Sequence, residues 1–257
     1  MKIFIMAVEE AVYIPRIYND VFKQRHKDFV GVTSVSPITP KSSLIKFIKN
    51  QISIFGYRVF LIFLIRALLF SVVDKINLLR GAGNLYSIKS LAKRYNIPIY
   101  TTRDINDPTY INTLKKIRID VLVSSQPQIM KKDILRIPKV CINTHSALLP
   151  YYRGVFPMFW ALLKGEKKVG VSIHYMVEKI DAGDIICQES FDVESKDTFD
   201  SLYKKASKLT AKLLIKALYM LDTGDVTSLK QGGEGSYYSF PRKEDIKRFK
   251  LLGKRFI

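Results

Sequence analysis

"KVCINTHSALLPYYRG", residues 139–154, begins as a strand and ends in a proline-bearing loop with an arginine beside a glycine. Alternate residues of an extended strand point the same way. Asn143 and His145 therefore face one side together, near the end of the strand. In open parallel sheets, ligands collect beyond the carboxyl ends of the strands. The amide and the imidazole thus stand where such a sheet does its chemistry, with "SALLPYYRG" as the loop that follows.

Working outward, strand and helix patterns alternate. Before the quoted stretch come "KIFIMAV", a helix through "EEAVYIPRIYNDVFKQR", the strand "FVGVTSVS", a long apolar segment and a helix near 86–95. The strand "IPIYTT", the capped helix "DINDPTYINTLKKIR" and the strand "DVLVSSQP" complete that half. After it, "VFPMFWALLKG" reads as a helix starting near Pro157, and "VGVSIHYMV" as a strand carrying His174. The turn "EKIDAGD", the strand "IICQESFDV" and a helix through "DTFDSLYKKASKLTAKLLIKALYMLDTG" follow. Such alternation predicts an α/β fold, a mostly parallel sheet with helices on both faces. No G-x-G-x-x-G follows the first strand, which speaks against a dinucleotide site there.

The 257 residues, 47% of them hydrophobic, suffice for one large domain with a small appendage. The expected division is a domain over 1–222, interrupted by an apolar helical insertion at about 44–80, and a short basic tail over 223–257. Two cysteines, Cys141 and Cys187, are too few for a disulfide framework and read as core fillers in a reducing, cytoplasmic setting. "MKIFIMAV" reads as a first buried strand rather than a signal peptide. The formal charge of +19 asks for an anionic partner.

Residues 52–73, "ISIFGYRVFLIFLIRALLFSVV", are the ambiguous segment: their length could cross a bilayer, but Arg58 and Arg66 oppose insertion. A crossing would also separate strands of one sheet. A buried helix is the first expectation, and an in-plane membrane-surface or homodimer-contact helix the second. Lys41, Lys46, Lys49, Lys75 and Arg80 around it suit an anionic membrane.

An amide donor such as Asn143 can stabilise a developing oxyanion, and His145 can donate to that oxygen or move a proton. A carboxylate such as Asp181 can hold the imidazole and favour its charged form. No serine or cysteine pairs with the histidine, so attack by a substrate's own nucleophile, and hence group transfer, is the natural chemistry. Taken singly, the histidine would be a core residue, the asparagine a cap and Asp-Ala-Gly-Asp a plain turn. No zinc-type spacing supports a metal.

Together, "INTHSALLPYYRG" and the later "KIDAGDII" resemble the folate-dependent formyltransferase family, over residues 80–222 and, more loosely, the first strand and helix. The resemblance implies a Rossmann-like formyltransferase fold with a short C-terminal extension. It implies formyl transfer from 10-formyltetrahydrofolate, as cosubstrate and without metal, to a primary amine. Asn143, His145 and Asp181 would be the catalytic trio, with Asp181 positioning and polarising His145. "VLVSSQPQIM" resembles the family's pterin-binding strand and loop, which assigns Gln126, Ile129 and Met130 to the pterin, with Asp184 near the same ring. His174 matches a histidine of the ribonucleotide branch, although a core role serves it equally.

The loop "AVEEAVYIP" departs from the ribonucleotide branch, which carries a glycine-rich phosphate cradle there. The chain also ends before the barrel domain expected of the transfer-RNA branch. These departures favour the anionic amine of an amino sugar nucleotide as acceptor. Tyr151, Tyr152, Arg153 and Trp160 would then flank the cleft, the arginine on a diphosphate and the aromatics on base or sugar. A methionyl-tRNA formyltransferase without its barrel is the alternative, its basic tail from Arg242 to Arg255 touching transfer-RNA phosphates. A non-catalytic membrane-surface scaffold is the third.

Overall fold

A computed structural model describes residues 1–40 and 42–257; Lys41, one of the cations around the apolar segment, lies outside the described residues. The chain runs β1 (Ile3–Val8), α1 (Ile14–Arg25), β2 (Phe29–Val35), α2 (Leu44–Phe55), α3 (Tyr57–Leu79), α4 (Ile88–Arg94) and β3 (Ile99–Thr102). It continues through α5 (Pro108–Lys115), β4 (Val121–Ser125), α6 (Lys132–Leu135), β5 (Val140–His145), β6 (Arg153–Gly154), α7 (Pro157–Lys164) and β7 (Lys168–Tyr175). The last elements are β8 (Ile185–Asp192), α8 (Phe199–Thr223), β9 (Tyr237–Tyr238) and α9 (Lys243–Leu251).

Seven strands form one sheet in the order β3-β2-β1-β4-β5-β7-β8. The five strands from β3 to β5 are parallel, and β7 and β8 join antiparallel. β1 shows why helices cover both faces. Its Ile3, Ile5 and Ala7 enter one core cluster, while Phe4 and Met6 enter a second on the opposite face. A strand buried on both sides reads as the continuous apolar run seen at 3–8. The order reverses between β1 and β4, the switch point at which open α/β sheets collect ligands.

Local signals set the element ends. Asp107 accepts from the Thr109 and Tyr110 amides to start α5, and Thr198 and Ser201 form a reciprocal capping box on α8. α8 presents small residues, Ala206, Ser207, Ala211 and Ala217, to the core, allowing close approach to α1 and β7.

The apolar segment departs from the first expectation. It is two helices broken at Gly56, whose φ of +78° suits glycine, and α3 is not buried. Only Asp74 of α3 falls in the buried class, held by the Tyr86 amide and the Ser90 hydroxyl. Arg66 pairs with Asp200 at 2.8 Å, and Phe70 stacks on Tyr86. These anchors hold one face of the helix lengthwise on the domain. No helix among the described residues is long and apolar enough to cross a membrane.

The tail packs back on the domain: Phe249 and Phe256 are buried in the main core, and β9 pairs with β6.

Candidate active site

β5 and β7 pair with Asn143 opposite His174, so the two side chains stand on the same face of the sheet. The turn between β7 and β8 then brings in Asp181, which takes a left-handed conformation with φ of +49°. Gly183 lets this turn lie against β7, since a Cβ there would meet the Tyr175 carbonyl oxygen at 2.0 Å.

Four side chains converge. Asn143 Nδ2 lies 3.2 Å from His174 Nε2 and 3.3 Å from Asp181 Oδ1. His145 Nδ1 is 3.7 Å from Asp181 Oδ2, and His174 Nε2 is 3.6 Å from Oδ1. The Gly154 amide donates to Asp181 Oδ2 at 2.8 Å. His174 Nδ1 lies 2.8 Å from the Tyr175 carbonyl, which assigns the proton to Nδ1 and leaves Nε2 to accept from the asparagine. His145 Nε2 donates to the Tyr152 carbonyl at 2.8 Å. That carbonyl, rather than Asp181, is the hydrogen-bond partner that orients the ring.

Burial acts on the two charged partners in opposite ways. It pushes His145 below the usual histidine range, against the pull of Asp181. Burial would raise the Asp181 carboxyl, but the two imidazoles and the Gly154 amide outweigh it and hold the group below the usual carboxylate range. The cluster is thus an ionised carboxylate beside a neutral His145 whose Nδ1 lone pair is free of a strong hydrogen bond. Both Nδ2 hydrogens of Asn143 already have acceptors, so an incoming carbonyl oxygen would take one over from Asp181 or His174. The arrangement can stabilise charge on that oxygen and can accept a proton from an attacking amine.

The loop 148–155 is held from three sides. Tyr152 has a φ of +59°; its amide donates to Ser236 Oγ at 2.8 Å and its ring stacks on Tyr238. Gly154 approaches the tail so closely that a Cβ would meet the Tyr238 carbonyl oxygen at 2.2 Å. Gln231 ties loop and turn together: its Oε1 accepts from Arg153, and its Nε2 donates to the Asp181 and Gly183 carbonyls. No sequence pattern points to Gln231, Ser236 or the Tyr152 carbonyl, because a lone glutamine some fifty residues from Asp181 belongs to no motif.

The flanking residues divide. Tyr151 is exposed, but Tyr152 is stacked internally with its hydroxyl donating to Glu166, and Arg153 is spent on Gln231. Trp160 is a correction. It is 8% exposed, packs on Tyr238 and donates its indole N–H to the Ser239 carbonyl, so it is core rather than cleft wall.

Beyond β4, Gln126 folds its amide onto the Gln128 backbone, Ile129 is exposed, and Met130 is buried in the second core cluster. Only backbone groups of Met130 could therefore touch a ligand. Asp184 is half-buried, and its carbonyl accepts from the Tyr175 amide. Register places Ser124 of β4 beside Asn143, so this loop and the cluster are neighbours. Asn106 already donates to the Ile129 carbonyl and accepts from the Lys131 amide, so the feature that fits the formyl carbonyl of a folate is the Asn143 amide beside this loop. At the end of β1 the α1 amides are already filled: Glu10 accepts from Val12 and Tyr13 at 2.7 Å, and from Ile14. The carboxylate stands where a helix N-terminus would otherwise offer its amides to a phosphate.

Residues 66–218 match the family described as formyl transferase. The methionyl-tRNA formyltransferase of Fusobacterium nucleatum is 37% identical over 181 residues, 69% of this chain and 58% of the relative. A solved 4-N formyltransferase from Francisella tularensis shares the fold with a TM-score of 0.59 at 23% identity, over 98% of this chain and 87% of that one. The N-formyltransferase from Helicobacter canadensis, solved with folinic acid and dTDP-3-aminofucose, gives 0.61 at 17% identity, over 98% and 81%. The chain spans about half the length of the relatives it matches by sequence. With a match over more than half its residues, the chain belongs to the formyl transferase family.

Proposed function

We propose that the protein moves a formyl group from 10-formyltetrahydrofolate to a primary amine, most naturally that of an amino sugar nucleotide. The observation that carries this reading is the convergence of Asn143, His145, His174 and Asp181 at the end of β5 in a chain of this family. When bound, the folate supplies an activated formyl carbon. Asn143 donates to the formyl oxygen as negative charge builds there, and the free Nδ1 lone pair of His145 stands ready to accept the proton of the attacking amine. Asp181, kept ionised, holds Asn143 in place and stabilises the imidazolium formed when His145 takes the proton of the attacking amine; the same proton would pass to the folate nitrogen as its bond to the formyl carbon breaks, leaving the N-formyl product and tetrahydrofolate. Gln126, Ile129 and Met130 line the folate side through their backbone, with Asp184 nearby.

The amino sugar reading gains support from the tail, which is folded onto the domain through Phe249 and Phe256 instead of forming a free basic arm. A charged transfer RNA is the second reading, favoured by the 37% identical methionyl-tRNA formyltransferase. An acceptor screen separates them: purified protein and 10-formyltetrahydrofolate are offered dTDP-linked amino sugars or methionyl-tRNA while tetrahydrofolate release is followed. Turnover with amino sugars only is expected. In Asn143→Ala, kcat should fall by about 100-fold or more, as when an oxyanion donor is lost. Wild-type turnover in that variant would remove Asn143 from the mechanism.

A further inference from the structure

α3 is 23 residues long, about 35 Å. Leu61, Ile62, Leu64, Ile65, Leu68, Leu69, Val72, Val73, Ile76 and Leu79 are each at least 38% exposed. At about 100° per residue they span roughly half the circumference of the helix, one continuous outward arc. The only charge within 59–73, Arg66, turns inward onto Asp200. Soluble monomers rarely leave so large an apolar patch in water.

The charge around the patch selects what covers it. Between Asp28 and Asp104 the chain carries eleven Lys and Arg but a single acid, Asp74, which is buried and hydrogen-bonded. Arg58 and Lys75, near the ends of α3, and Arg80 just beyond it flank the apolar stretch, and Lys46 and Lys49 are exposed on α2. At the kink, Lys250 Nζ lies 3.8 Å from where a Cβ on Gly56 would stand. Beside it on the tail, Leu251 and Leu252 are 77% and 50% exposed.

From this pattern we infer that α3 is an in-plane docking helix for an anionic membrane surface, its aliphatic arc in the headgroup–acyl boundary and the surrounding cations on lipid phosphates. A second copy fits less well. A two-fold interface would set this acid-free cationic border against itself, and a two-helix seam covers a narrower stripe than the exposed arc. Polar anchors on its inner face, Arg66 to Asp200 and Asp74 to Ser90, keep the helix flat on the domain. Phe55, at the kink, meets Phe156 just past the 148–155 loop.

Flotation tests this with the full chain and vesicles of phosphatidylcholine, with and without phosphatidylglycerol. The wild type should float with the anionic vesicles. The quadruple variant Ile65→Gln, Leu68→Gln, Leu69→Gln, Val72→Gln alters exposed side chains only and should fold as the wild type does, verified by thermal melting. It should bind at least about tenfold more weakly. Arg58→Gln with Lys75→Gln and Arg80→Gln should lose about fivefold per cation on anionic vesicles and little on neutral ones. A wild type that stays at the bottom of the gradient with both vesicles overturns the inference, as does an apolar variant that floats like the wild type. A wild-type dimer that the quadruple variant dissociates, without flotation, hands the face to a second copy.

Discussion

Asp181 collects the groups that make the site a unit: the Asn143 amide, two imidazole edges and the Gly154 N–H. Its charge stabilises the folded chain at neutral pH, because its carboxyl is held below the ordinary range, and that contribution disappears only in acid, as the folded group is at last protonated. His145 acts at higher pH. Burial depresses its folded value, so the unfolded chain binds the proton first as pH falls below about 6.5, and folding stability declines through that window. Urea midpoints measured from neutral to mildly acidic pH should therefore fall for the wild type, and His145→Gln should flatten that part of the curve. An unchanged slope in the variant would show that other groups drive the pH dependence. Strand periodicity put Asn143 and His145 on one side, and the family resemblance of the later Asp-Ala-Gly-Asp turn added Asp181 to them. The orienting role of the Tyr152 carbonyl was not legible, because it comes from backbone in a left-handed turn rather than from any side chain.

At the scale of elements, the site depends on a strap within the 223–257 tail, which the sequence marks as basic and short but does not tie to the site. β9 pairs with β6, Ser236 takes the Tyr152 amide, and Gln231 bridges Arg153 to the carbonyls of Asp181 and Gly183. Gln231→Ala leaves two carbonyls and a guanidinium without these partners, a cost of about 1–3 kcal/mol. A fall in the melting temperature is expected, together with a loss in kcat larger than any change in KM, as Asp181 loses its register. A normal kcat with a lowered melting temperature would make the glutamine purely structural. Helix ends were easier to read: Asp107 and Thr198 announce α5 and α8 because capping is a local bond. The exposure of α3 is not legible in the sequence for the opposite reason. Aliphatic residues crowd most of the helix, and composition does not say which side the domain leaves uncovered.

Across the whole molecule, the C-terminal segment is part of the core. Phe249 stacks on Phe159 and packs with Phe256 beneath α7 and α8, with no exposed surface. Phe249→Ala should cost about 3–5 kcal/mol by transfer and cavity terms, read as a lower urea midpoint at an unchanged slope. A loss under about 1 kcal/mol would mean the tail is only peripheral. By itself the sequence determined the alternation of strands and helices, the mostly parallel sheet, and the strand end that carries Asn143 and His145. Those follow from periodicities of two and 3.6, which are properties of neighbouring residues. Tertiary structure alone decided that Trp160 is core, that Arg153 is tied to Gln231, and that the ten aliphatics of α3 face outward. Each depends on which distant segment arrives at the same place, and that is settled by packing of the whole chain rather than by local pattern.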